Sequence, residues 1–229
     1  QFIEADGGYG NIRLLRNRCF NCPAQPVSVQ NMPAGPVYWI RNIVWNANRG
    51  RMAMKTHGAA QVYLWLHNTS SAHMSMPLET GGYEPEICTW FVQNNLNVGP
   101  ANESMALTQF RGGEPGPHHV IDHNAYNAAA ANQPCRVGKK TYPSLDALRE
   151  ATGYEADTIL VDGYDVFVDA REPAHARGDS PLLNAAAIDL NLKPGATAID
   201  AAAGIPGERV VFSGVGKTRE EMAQALAGG

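Results

Sequence analysis

Leu15-Arg16-Asn17, Ile40-Arg41-Asn42, Leu66-His67-Asn68 and Val92-Gln93-Asn94 are four copies of one line of text, and Asp122-His123-Asn124 is a looser fifth. Their asparagines fall 25, 26, 26 and 30 residues apart. Self-similarity at a period of this size marks a solenoid, in which each repeat covers the apolar surface of its neighbour. Every copy has the same plan. An apolar strand precedes the asparagine: Val37-Tyr38-Trp39-Ile40, Val62-Tyr63-Leu64-Trp65-Leu66 and Thr89-Trp90-Phe91-Val92. A second short strand such as Ile43-Val44-Trp45 follows it. After a loop of Gly, Asn, Pro or Ala comes a third: Val27 to Gln30, Arg51 to Lys55, His73 to Met76 and Ser104 to Leu107. Three short strands per coil of about 25 residues predict an all-β fold, a right-handed parallel β-helix. β-Branched and aromatic enrichment with Gly and Pro punctuation supports strands, and no amphipathic run is long enough for a helical solenoid.

The asparagine has a structural role in this reading. A sharp corner between strands leaves backbone groups unpaired inside. An inward Asn satisfies them, stacks on its equivalents, and tolerates left-handed backbone. Strict alternation counted from that residue turns Leu15, Ile40, Leu66 and Val92 inward. Arg16, Arg41, His67, Gln93 and His123 then form a polar outer row. Leu14, Trp39, Trp65, Phe91 and Ile121 form an outward apolar stack. So large an apolar stripe needs a cover, either a tail or loop of the same chain or a sugar stacked on it.

The 229 residues are 44% hydrophobic and 17% charged, enough for a substantial core. A net charge of −4 argues against a nucleic-acid partner. No apolar run reaches the roughly 18 residues of a bilayer span, so no membrane partner is expected. Gln1 reads either as a mature terminus left by signal cleavage or as a boundary within a longer chain. Gly10-Asn11-Ile12-Arg13 reads as mid-solenoid text without a capping element, so association with missing N-terminal β-helix coils is expected. Cys19, Cys22, Cys88 and Cys135 suit neither a disulfide framework nor a zinc site, and Cys19-Phe20-Asn21-Cys22 reads as strand.

The period fails after Asn127. Ser144 as N-cap and Gly153 as stop frame a short helix. Thr158 to Val161 and Val166 to Val168 read as strands of a last coil. Thr218-Arg219-Glu220-Glu221 opens a terminal helix through a capping box. Residues 1–205 therefore form the predicted β-helix, irregular from about 128, and 206–229 form a capping tail with a short helix.

Asn42-Ile43-Val44-Trp45-Asn46, His67-Asn68-Thr69, Asp122-His123-Asn124-Ala125-Tyr126, the helix from Ser144 to Gly153, and Leu192-Lys193-Pro194-Gly195-Ala196-Thr197-Ala198-Ile199-Asp200 together resemble bacterial right-handed β-helix proteins of the pectate-lyase-like superfamily. The resemblance covers most of residues 10–205. It implies a secreted or periplasmic protein in a carbohydrate setting, acting as a lyase, hydrolase or epimerase. It transfers no catalytic signature, because this scaffold hosts several activities.

In the resembling enzymes the substrate lies across the outer face of one parallel sheet, and the third strand of each coil is the candidate here. Its inward column is Val27/Val29, Met52/Met54, Met74/Met76 and Met105/Leu107, core filler rather than metal ligands. Its outward positions hold Gln30, Arg51, Lys55 and His73, with His57 following, and Arg51 is expected beside His73. These residues fit β-elimination from a uronate. Arg51 would neutralise the carboxylate, Lys55 or His73 would abstract the α-proton, and His57 would protonate the leaving oxygen. Gln30, Arg41, His67, Trp39 and Trp65 are the expected substrate-binding residues. The same residues also fit an ordinary solvated sheet face. A glycoside hydrolase needs two carboxylates about 5–9.5 Å apart, and no such pair falls on adjacent outward columns. No cofactor is expected, although Asp162, Asp165 and Asp169 are spaced for a calcium-binding turn. A non-catalytic glycan-binding or structural β-helix is the third alternative.

Overall fold

The structure is a computed structural model describing residues 3–6, 10–22, 26–30, 36–47, 55–57, 62–71, 74–76, 89–99, 108–110, 118–138, 140–173, 182–196 and 198. It is β-rich, with parallel sheets and one α-helix among the described residues. A five-stranded parallel sheet stacks β2 (Ile12–Leu15), β5 (Pro36–Ile40), β8 (Val62–Leu66), β11 (Thr89–Gln93) and β14 (Val120–Asp122) in chain order. Beside it a six-stranded parallel sheet stacks β3 (Arg18–Cys22), β6 (Ile43–Ala47), β9 (Thr69–Ser70), β12 (Leu96–Asn97), β15 (Ala125–Asn127) and β18 (Ile159–Val161). The third strands form two further sheets. One joins β1 (Ile3–Asp6), β4 (Val27–Gln30) and β7 (Lys55–His57). The other joins β10 (Met74–Met76), β13 (Thr108–Phe110) and β16 (Cys135–Val137), with β17 (Lys140–Tyr142) added antiparallel.

Between each strand of the five-stranded sheet and its successor in the six-stranded one lie only two residues, the second an asparagine. These asparagines build a ladder. The backbone N–H and the Nδ2 of Asn17 both donate to Oδ1 of Asn42, at 2.9 Å each. Asn42 repeats this onto Asn68, Asn68 onto Asn95, and Asn95 onto Asn124. The Nδ2 groups of Asn42, Asn68, Asn95 and Asn124 also donate to the carbonyls of Leu14, Trp39, Trp65 and Val92 one level below. Asn42, Asn68, Asn95 and Asn124 are all buried, so the corner backbone is satisfied by side chains rather than water.

Two expectations are corrected here. The fourth ladder asparagine is Asn95, one place beyond the expected Asn94. The faces before the corner are also reversed. Leu14, Trp39, Trp65 and Ile121 are buried, whereas Leu15 is 48% exposed and Ile40 and Leu66 are half-buried; only at the fourth level do the faces match, with Val92 buried and Phe91 half-buried. The cause is the residue just before each asparagine, which is left-handed and interrupts the two-residue pleat. Trp39 and Trp65 stack inside, with ring centroids 5.8 Å apart.

The apolar face that does need a cover belongs to the six-stranded sheet, where all five residues of β6 are buried. Val44 and Ala47 join the core that holds Trp39 and Trp65, whereas Ile43 and Trp45 join a second cluster with Val166, Phe167 and Leu190. Phe167 and Tyr164 meet the Trp45 ring edge-on at 5.4 and 5.6 Å. β19 (Phe167–Asp169) is thus no strand of a last coil. It pairs antiparallel with β20 (Asp189–Leu192). The helix α1 (Leu145–Thr152) follows the sequence signals, with Ser144 Oγ accepting from the Ala147 N–H and Gly153 left-handed at φ 73°. The expected tail at 206–229 lies outside the described residues.

The ladder register is testable. Asn95→Leu leaves two Asn68 donors and the Trp65 carbonyl unpaired, and should cost roughly 3–5 kcal/mol. Asn94→Gly should cost no more than about 1 kcal/mol, because glycine accepts the φ of 59° at that position. Urea unfolding midpoints of the two variants check this, and equal losses would overturn the register.

Candidate functional site

The corner that holds the ladder also displays the polar row. Arg16, Arg41, His67, Asn94 and His123 are left-handed, with φ of 57°, 58°, 57°, 59° and 56°. Their backbones are pinned between levels: Arg16 N–H donates to the Ile40 carbonyl, Arg41 to Leu66 and His67 to Gln93, at 3.0, 3.0 and 3.1 Å. The fourth member is Asn94 rather than the expected Gln93, which ends β11. Arg16 is exposed and the other four are half-buried.

Crowding of like charge marks this row. Burial, and then the charge of Arg16, pull the Arg41 guanidinium below its ordinary range. Burial, and then Arg41, hold the His67 imidazole below its ordinary value. The Arg41 Nε is buried without a hydrogen-bond partner. Neither Arg16 nor Arg41 pairs with a carboxylate among the described residues. An orphaned guanidinium N–H in a row of cations spaced about 4.8 Å apart is complementary to an anion with two or more charged groups.

The expected catalytic residues lie in the third-strand sheets. Lys55 pairs with Ser28, Thr56 with Val29 and His57 with Gln30. Thr56, and not a methionine, thus shares the level of buried Val29. Lys55 and His57 lie two apart on β7, level with Ser28 and Gln30. Arg51 and His73 lie outside the described residues, as does their expected adjacency. Trp39 and Trp65 are 1% exposed, so they are core residues and no stacking platform. On the outer face of the five-stranded sheet Tyr38, Leu64 and Phe91 stand in register, half-buried.

At its C-terminal end the ladder meets Glu155, a residue that the repeat does not reveal. Its carboxylate is fully buried. Oε1 accepts from the Tyr126 hydroxyl at 2.6 Å, and Oε2 from Asn124 Nδ2 at 2.9 Å and from the Thr158 hydroxyl. Thr158 Oγ1 in turn accepts the Asn124 N–H at 3.0 Å. Arg149 Nε donates to the Glu155 carbonyl at 2.6 Å. Burial raises the Glu155 carboxyl above its usual range against the pull of its three donors, and Asp122 adds to the rise.

Asp122, His123 and Asp157 bring one ligand atom each within 4.8 Å of the others. Asp122 Oδ1 already accepts the N–H groups of His123 and Asp157, at 2.8 Å each. Asp162, Asp165 and Asp169 are all exposed and spread over a 3₁₀ turn and β19. Cys19 and Cys22 are buried free thiols, the former pushed up to about 11 by burial and then by Cys22.

No family profile, curated protein or solved structure matches this chain.

The Glu155 site predicts a pH dependence. Its folded pKa is raised, so the native state holds a proton that the unfolded chain has released. The stability contribution is therefore present at acidic pH and lost as pH rises from the ordinary Glu value of about 4.3 through the raised one. Glu155→Gln should flatten that fall in urea midpoints measured across this range. Glu155→Leu orphans three donors and should cost about 3 kcal/mol or more at every pH.

Proposed function

We propose that this chain is a right-handed parallel β-helix of the pectate-lyase-like kind that acts on an acidic, uronate-containing glycan, with β-elimination as its chemistry. The observation that carries the reading is the row of Arg16, Arg41 and His67. Two guanidiniums and an imidazole repeat at strand spacing, and one buried guanidinium N–H has no hydrogen-bond partner. A polyanionic chain presents carboxylates at a comparable repeat, and each contact exchanges like-charge repulsion for a charge-assisted hydrogen bond. The in-register parallel sheets support the β-helix. The corner asparagines, at 25- to 29-residue spacing and each preceded by a left-handed residue, support it as well.

Lys55 and His57 carry the proposed chemistry. Elimination needs a base for the proton α to the carboxylate and an acid for the departing oxygen. In this reading Lys55 takes the proton, His57 returns one to the leaving group, and Gln30, level with His57, helps hold the sugar. Arg51 and His73 keep their proposed roles as carboxylate ligand and alternative base. No metal is required by this scheme. The protein is proposed to work outside the cytoplasm, where such polymers occur.

A second reading, glycoside hydrolysis, draws on Asp122 and Asp157, whose carboxylate oxygens approach within 4.8 Å. Asp122 is oriented by two backbone N–H groups that donate to its Oδ1.

Incubation with polygalacturonate, alginate and glycosaminoglycans separates these. Ultraviolet absorbance from an unsaturated product marks elimination, and reducing ends without that absorbance mark hydrolysis. Binding with neither leaves the glycan-binding protein. Lys55→Ala should abolish absorbance while retaining affinity. Arg41→Gln should weaken glycan binding about tenfold, the loss of one charge-assisted bond of about 1.5 kcal/mol, and salt should weaken the parent protein. Elimination that survives Lys55→Ala would remove Lys55 as the base.

A further inference from the structure

The corner row borders a second feature, the outer face of the five-stranded sheet. Two side-chain columns cross that face in register: Tyr38, Leu64 and Phe91 in one, Ile40, Leu66 and Gln93 in the other. All six are half-buried, and the five apolar ones join neither hydrophobic core among the described residues. Neighbours one strand away, at about 4.8 Å, give such residues part of their cover. One residue beyond Ile40 and Leu66 stand Arg41 and His67. From the middle of the sheet to its corner, these two levels therefore run apolar, apolar, basic.

The ends of the columns differ in charge. Below, the Arg13 guanidinium lies 5.5 Å from the centre of the Tyr38 ring. Above, Asp122 continues the second column beyond Gln93. A polyanion is thus attracted at the lower levels and repelled at the last. Lys55 and His57 belong to another surface. β7 pairs with β4 in a sheet that shares no strand with this one among the described residues.

Shape selects the occupant as well as charge. A sheet face offers no unpaired main-chain groups, so a peptide strand laid on it gains none of the pairing that an edge provides. A pyranose uronate needs none. The C–H side of its ring packs on aliphatic and aromatic carbon, and its carboxylate projects from the rim.

We infer that this face is a non-catalytic anchoring site on which an acidic glycan lies along the stack, crossing the strands. Its rings rest on Tyr38, Leu64, Phe91, Ile40 and Leu66, and its carboxylates face Arg41 and the corner. One stretch of polymer is held here while another meets Lys55 and His57 on the third-strand sheet. The anchor rests on the acidic-glycan reading and adds to it a second site, an apolar half and a chain direction.

A galacturonate hexamer titrated into the isotopically labelled full-length protein is the test. The side-chain signals of Leu64, Leu66 and Phe91 and the amides of 38–41, 64–67 and 91–94 should shift together and saturate with one Kd. Leu64→Glu should weaken that binding at least tenfold and Leu64→Ser about threefold, with an otherwise unchanged amide spectrum as the check on folding. Hexaglutamate, equally charged but without rings, should bind at least tenfold more weakly than the hexamer. Shifts confined to 55–57 and their sheet would overturn the anchor and leave the glycan reading standing, whereas no shift with any uronate oligomer would overturn both. Hexaglutamate binding as tightly as the hexamer, or shifts limited to a single level of the five-stranded sheet, would also overturn the anchor.

Discussion

One constraint governs the rest: a tight corner in a parallel stack cannot satisfy its own backbone. Two residues separate a strand of one sheet from a strand of the next: the first keeps a main-chain bond at Arg16, Arg41 and His67, but the N–H groups of the corner asparagines have only side-chain acceptors. Buried and unpaired, each would cost on the order of 1–3 kcal/mol. Asparagine resolves this with one acceptor and two donors on a side chain short enough to reach the level above and below. Five such residues in series make a polarised amide chain, and the terminal acceptor must be able to receive without donating. Glu155 and Thr158 accept the last amide donors, which accounts for a fully buried carboxyl outside the repeat.

The same corner sorts side chains between core and surface. The left-handed residue ahead of each asparagine breaks the alternation, so Trp39 and Trp65 turn into the core while Arg16 and Arg41 turn outward. The six-stranded sheet then carries apolar residues on both faces. Its outer face is closed by Tyr164, Phe167 and Leu190 rather than by another level. Asn21 fixes this cover from below, donating to the Leu183 carbonyl at 2.8 Å and accepting the Leu183 N–H at 2.9 Å.

Much of this was legible in the chain. The spacing of Asn17, Asn42, Asn68 and Asn124 announced the parallel stacking, and Ser144 and Gly153 bounded the helix where the structure has it. The errors have specific causes. Asn94 and Asn95 are adjacent, and only the ladder distinguishes the left-handed one from the buried one. Alternation was carried through a residue that interrupts it, which exchanged the faces of Leu14 and Leu15, of Trp39 and Ile40. The third-strand register slipped because loops of unequal length precede Lys55 and Thr108, and loop length leaves no periodic trace. Glu155 was invisible for another reason: a terminator occurs once, so repetition cannot disclose it.

The spacing between successive ladder residues grows from 25 to 26, 27 and 29, yet the bonds between them stay at 2.9 to 3.1 Å. Every insertion is therefore absorbed away from this corner, in the segments leading to and from the third strands. Side chains at the corner inherit that fixity. The backbones of Arg16, Arg41 and His67 hold their relative positions because the amides behind them do. Lys55 and His57 sit where insertions accumulate, and their sheet breaks into two among the described residues. On the proposed function, recognition by the corner and chemistry in the third-strand sheet answer to different constraints: changes in the third-strand segments would leave the backbone spacing of Arg16, Arg41 and His67 unaltered.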